Sequence, residues 1–129
     1  MSRVYPGGCH CGAVRFEVEV ADPVAYDCNC SICQKKGFLH VIVGKPALRI
    51  LSGQEALCEY RFGTGVARHF FCRTCGIHPF YVPRSHPDGW DVNLRCLDGE
   101  PLRDFRIEPF DGRNWEAAVD AIRGPADTG

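Results

Sequence analysis

The 129-residue chain has no uncharged apolar run of about 18 residues, so no segment of it is long enough to span a bilayer as a helix. Met1 to Gly8 lacks the apolar core of a secretory signal, and the expectation is a cytoplasmic protein whose thiols stay reduced. Charge of one sign is missing too. Fifteen basic residues against sixteen acidic ones leave a formal charge of −1, with no basic stretch to grip phosphate or anionic lipid. Neither nucleic acid nor a membrane is therefore an expected partner. Internal repeats, low-complexity runs and linkers are absent as well, which predicts one domain over residues 1–124 and a frayed tail at 125–129. A hydrophobic content of 45% excludes a disordered chain, and 14 glycines with 9 prolines leave little room for long helices.

What the chain has in excess is cysteine, nine residues in all. An odd count cannot pair fully into disulfides within one chain, and the spacings are short: Cys9-x-Cys11, Cys28-x-Cys30-x2-Cys33 and Cys72-x2-Cys75. These are metal-ligand spacings. A C-x2-C turn lets two thiolates grip one ion while backbone N–H groups of the turn point at the sulfurs, and structural zinc takes four such ligands. Cys72-Arg73-Thr74-Cys75 is a knuckle of this kind, and Gly76 supplies the permissive φ by which the chain leaves it. Cys9-His10-Cys11-Gly12 is a tighter hook, so the two together predict a closed site of four thiolates.

The middle cluster differs. Cys28, Cys30 and Cys33 offer three ligands, leaving one tetrahedral position for water or substrate unless Cys58, Cys96 or a histidine fills it. Three thiolates bring Zn2+ to a formal −1, which suits capture of a soft thiol better than generation of hydroxide. Cys58 alternates with Tyr60 and Phe62, and Cys96 with Leu94, Val92 and Trp90, so both read as small core hydrophobes. Tyr81 and Trp90 read as core, and no histidine is assigned as a ligand. Arg68, Arg73, Arg84 and Arg95 are candidates for an anionic substrate or for a solvated face.

Hydrophobic alternation predicts strands at 13–20, 39–43, 47–51, 57–62, 66–71, 77–82, 90–96 and 102–107, an antiparallel, mostly β fold. A short helical turn is expected at 31–34. One further helix is expected where Trp115, Ala118, Val119 and Ile122 recur at helical spacing, with Asn114 as N-cap and Gly124-Pro125 as the stop.

Seven cysteines in this order and context, Gly-Cys9-His-Cys11-Gly, Cys28-x-Cys30-x2-Cys33 and Cys72-x2-Cys75-Gly, resemble the glutathione-dependent formaldehyde-activating enzyme family. The stretch Gly76-Ile-His-Pro-Phe-Tyr-Val-Pro-Arg with Asn93-Leu-Arg-Cys96-Leu-Asp98 looks most like its centromere protein V-like branch. The resemblance implies a zinc-bearing antiparallel β-tent with two zinc ions per chain. Cys9, Cys11, Cys72 and Cys75 would hold the structural ion, and Cys28, Cys30 and Cys33 the catalytic one. It implies a carbon–sulfur lyase or synthase that combines a small-molecule thiol such as glutathione with formaldehyde. The alternatives left open are a non-catalytic binding module and a thiolate–zinc redox sensor; oligomeric state is not legible.

Overall fold

The computed structural model describes residues 2–120 and is mostly β, with its strands in two sheets. The smaller sheet has the order β1-β2-β5, from β1 (Arg3–Gly8), β2 (Arg15–Val20) and β5 (Leu48–Ser52). β2 (RFEVEV) forms as its alternation dictates: Phe16, Val18 and Val20 are buried, while Arg15, Glu17 and Glu19 face outward. β1 had no sequence signal, because Tyr5-Pro6-Gly7-Gly8 has poor strand propensity. It forms through six paired positions along β2, and side chains larger than glycine would not fit at Gly7, where a Cβ would lie 2.7 Å from the Phe16 ring and 2.6 Å from the Cys96 carbonyl oxygen.

The larger sheet has seven strands in the order β10-β3-β4-β9-β8-β7-β6. They are β3 (Val24–Cys28), β4 (Leu39–Gly44), β6 (Leu57–Tyr60), β7 (Arg68–Cys72), β8 (Phe80–Val82), β9 (Gly89–Asn93) and β10 (Arg106–Phe110). The pairs are antiparallel except β10 with β3, which run parallel from Arg106↔Val24 to Phe110↔Cys28. β3, like β1, lay outside the expected strands, because its own residues are too few and too mixed to carry a period.

The register of this sheet decides which side chains meet. On one face Val41 opposes Val92 and Val92 opposes Phe80; Phe80 packs edge-on against Phe16 of the smaller sheet with ring centroids 5.6 Å apart. That is the core, and each such aromatic removed from water contributes roughly 1.5–3 kcal/mol. Trp90 belongs to it as expected, 5.3 Å from the Phe80 ring. The other face carries Tyr26 opposite His40, Ile42 opposite Asp91, Asp91 opposite Tyr81, and Tyr81 opposite His69. Tyr81 is thus buried but lies on the polar face rather than in the apolar core.

Two helical expectations resolve differently. The turn after the middle cysteines is α1 (Ser31–Lys36), which buries Cys33 and ends at Gly37 in the left-handed conformation. The C-terminal helix, α2 (Trp115–Ala118), begins where expected, but the Asn114 side chain does not cap it and instead donates to Asp111. Val119 is buried; Ile122, the Gly124-Pro125 stop and the tail at 125–129 lie outside the described residues. The expectation that Cys58 is a small core residue is corrected: it is only half-buried, because β6 is an edge strand covered by one neighbour, and Tyr60 and Phe62, with which it alternates, remain 50% and 46% exposed.

Candidate metal centres

Among the described residues, two groups of side chains converge closely enough to hold a metal ion. The first is Cys9, Cys11, Cys72 and Cys75, whose sulfurs all lie within 4.8 Å of one another. The Cys9–Cys11 and Cys11–Cys72 sulfurs are 3.6 and 3.7 Å apart. A tetrahedral zinc with bonds of about 2.3 Å needs thiolates about 3.8 Å apart, so the spacing fits. Local backbone sets it. Gly12 and Gly76 both take positive φ, and Gly76 N–H donates to the Cys72 carbonyl to close the knuckle. The N–H groups of Cys75 and Thr74 hold the Cys72 thiol below its ordinary pKa, and Val14 N–H donates to Cys9 Sγ. Donors aimed at sulfur stabilise thiolates, the form that binds metal.

The second group joins Cys28 and Cys33 to His40, again within 4.8 Å; Cys30 lies outside that group, with its backbone N–H 3.5 Å from Cys28 Sγ. Cys28 ends β3, Cys30 is the N-cap of α1, and Cys33 lies one turn in. The thiols of Cys28 and Cys33, with the backbone N–H groups of Cys33 and Ile32, hold Cys30 far down, to about 2. Hydrogen bonding to Cys30 in turn pushes Cys28 up to about 11, and contact with Cys28 and Cys30 pushes Cys33 far above the thiol range. Crowding thus favours ionisation of Cys30 and opposes it at Cys28 and Cys33. A cation among them is what would let all three ionise.

This cluster lines a cavity of about 480 Å³, within the usual size range of small-molecule sites. The polar face of the large sheet supplies another wall. There Asp91, 1% exposed, sits with its Oδ2 2.6 Å from His40 Nδ1, and the Tyr81 hydroxyl is 3.2 Å from the same nitrogen. Lys36, at the end of α1, lies over the Phe38 and Tyr81 rings and 3.1 Å from His69 Nδ1. Burial lowers its pKa, while the charges of Cys33, Asp91 and Cys30 oppose that shift. It is a half-buried amine beside a site rich in thiols.

The third wall is a strap from the far end of the chain. Because β10 runs parallel to β3, Phe110 lies opposite Cys28 and the turn Gly112–Asn114 falls across the cysteine loop. Arg113 N–H donates to Asn29 Oδ1, its guanidinium donates to the Asn29 carbonyl at 2.8 Å and to Gln34 Oε1 at 2.6 Å, and Asn29 Nδ2 donates to Asp111. Gly112 rests directly on the thiols: a Cβ there would collide with Cys28 Sγ and meet the Cys30 Cβ at 3.0 Å.

Of the four arginines singled out, Arg84 lines the cavity, 3.6 Å above the Trp115 ring. Arg68 pairs with Glu59, and Arg73 and Arg95 are exposed away from it. Cys96 does not close the middle cluster. Its Sγ contacts the His78 carbonyl at 3.7 Å, and burial raises its pKa to about 12, so it remains a thiol. His40, which the sequence offers as a pocket residue but not as a ligand, does line the cavity, whereas Asp91, Lys36, Gly112 and Arg113 carry no signal in the sequence. The alternation of 39–43 does separate His40 from Val41, but the partner that gives His40 meaning is 51 residues away.

The model of the family described as "Glutathione-dependent formaldehyde-activating enzyme" matches residues 4–110. A curated Halomonas elongata protein named "Putative glutathione-dependent formaldehyde-activating enzyme" is 33% identical over 78 residues. That match takes in 54% of this chain and 50% of the relative, so the chain aligns with about half the length of that protein. The crystal structure of a Rhodobacter sphaeroides protein superposes with a TM-score of 0.73 at 40% identity, covering 84% of this chain and 98% of that one. No helix among the described residues is long and apolar enough to cross a membrane. With seven cysteines in two clusters and a matching model over residues 4–110, the chain belongs to the glutathione-dependent formaldehyde-activating enzyme family.

Proposed function

We propose that the chain is a zinc-dependent carbon–sulfur lyase and synthase that reversibly joins a small thiol to an aldehyde, with glutathione and formaldehyde as the pair its family suggests. The observation that carries this reading is the position of Cys28, Cys30 and Cys33 on the wall of a 480 Å³ cavity, where a ligand and the ion they hold would meet. Cys9, Cys11, Cys72 and Cys75 would hold a second, structural zinc. The all-thiolate donor sets and the N–H groups aimed at sulfur suit zinc.

In the forward direction the thiol S–H breaks, a C–S bond forms to the carbonyl carbon, and the carbonyl oxygen gains the proton to become a hydroxyl. Zinc, when bound, supplies an electrophilic seat for the thiolate. The protein does the rest. Ile32, Ile42, Phe62 and Trp115 line the cavity with apolar surface, which weakens the screening of charges inside it. Arg84 and Arg113 stand on its lining, where guanidinium groups suit the carboxylates of a peptide thiol. Holding thiol and aldehyde side by side supplies catalysis by proximity. The reading puts the protein in the cytoplasm, where thiols are reduced, with one domain over 1–124 carrying the whole site.

The test is exchange NMR of glutathione with formaldehyde, using zinc-loaded protein, the Cys30→Ser variant and no protein. Faster exchange with the intact protein alone is expected. The variant should keep its fold, because the other cluster is untouched, while losing the rate gain. Equal rates in all three would overturn the proposal.

A further inference from the structure

His40 is 4% exposed, and its two nitrogens have different surroundings. Nδ1 faces the Asp91 carboxylate at 2.6 Å, and Nε2 is buried with no hydrogen-bond partner. A carboxylate can only accept, which assigns the proton to Nδ1 and leaves the lone pair on Nε2. A buried imidazole lone pair facing nothing costs free energy unless something electrophilic meets it. One nitrogen of this ring also lies within 4.8 Å of the Cys28 and Cys33 sulfurs. A histidine whose second nitrogen is tied to a carboxylate is the usual arrangement behind a metal-bound imidazole, because the carboxylate fixes the tautomer and raises the basicity of the coordinating nitrogen.

The geometry points to His40 Nε2 as the fourth donor to the ion held by Cys28, Cys30 and Cys33, with Asp91 as its positioning residue. This rests on the zinc reading above and deepens it: the coordination place a substrate thiol needs is held at rest by a neutral nitrogen rather than by water. The sheet itself builds the pair. His40 and Asp91 are diagonal neighbours across β4 and β9 on one face, within reach of each other only in this register. Phe38, 4.7 Å from the His40 ring, and Tyr81, 5.7 Å from it, fix the ring plane. The other partnerless histidine nitrogen of this cavity is His69 Nε2. Its ring is stacked on Tyr81 at 4.6 Å and does not join the cysteine cluster.

The decisive experiment is 113Cd NMR of the full chain loaded with cadmium and labelled with 15N-histidine, since each metal site gives its own resonance. A one-bond 113Cd–15N coupling is expected at one of the two resonances, to the Nε2 of a histidine whose ring protons show contacts to Phe38. It should vanish in His40→Ala while the other resonance stays in place. No coupling at either resonance, or coupling to another histidine, would overturn the assignment even if the His40 variant failed to fold. Asp91→Asn should weaken zinc at this site about 10- to 100-fold in competition with a chromophoric chelator; an unchanged affinity would remove Asp91 from the role. The two readings fail separately. Coupling without thiol exchange would overturn the lyase and leave His40 as a ligand, whereas thiol exchange without coupling would do the reverse.

Discussion

At the scale of single residues, Gly112 is decided by space. The turn it occupies lies against the Cys28 sulfur, and any Cβ would have to displace that thiol or the Cys30 stem at 3.0 Å. Gly112→Ala is therefore expected to lower bound zinc from about two ions per chain toward one, leaving the Cys9/Cys11/Cys72/Cys75 site filled. Metal analysis of the purified variant checks this, and a variant that still binds two ions would show that the strap yields. Gly76 is a different case, needed for its positive φ at the exit of the knuckle rather than for room, since nothing lies within 4 Å of its missing Cβ. The sequence signalled Gly76, because it directly follows a C-x2-C turn, and gave no hint of Gly112, whose neighbours in space are more than eighty residues away.

Among elements, β7 and β8 bring His69 and Tyr81 into a parallel stack with centroids 4.6 Å apart, 11° from coplanar. Burial, and then the nearby Lys36 ammonium, push the His69 pKa down to about 4 from an ordinary 6.5. The folded protein thus keeps His69 neutral where the unfolded chain would protonate it. Its contribution is complete above pH 6.5, declines as the pH falls toward 4 and changes no further below, a loss of up to about 3 kcal/mol. His69→Asn should therefore flatten the pH dependence of denaturant stability between pH 6.5 and 4.5. Part of the slope remains, because burial lowers His78 to about 4 as well. A slope identical to that of the parent would refute the argument. The strands at 15–20, 39–44 and 48–52 were legible from alternation, whereas β1 and β3 were not, since pairing with β2 and β10 rather than their own composition forms them.

For the molecule as a whole, an ion held by the four-thiol cluster would tie the hook that follows β1 to the knuckle that opens at the end of β7. The sulfurs it joins lie 61 residues apart in sequence, Cys11 and Cys72. By loop-closure entropy, a clip of that span is worth on the order of 4 kcal/mol. Chelation should then lower the melting temperature by at least about 10 °C, given that each kcal/mol moves a domain of this size by several degrees. Calorimetry with and without a strong chelator measures it. An unchanged melt after verified metal removal would mean that the two sheets hold the hooks together unaided.

The sequence by itself determined the mostly β class, the family and the short cysteine hooks from which the two metal groups are built, because spacing within a turn and alternation along a strand act over a few residues and need no partner. Tertiary structure decided the rest of the cavity. His40 meets Asp91 across 51 residues, and Arg113 reaches Asn29 across 84, through the parallel pairing of β10 with β3. Such contacts follow from strand order and register, and a local pattern carries neither: the same alternation that buries Val41 places His40 on the opposite face without saying what will stand there.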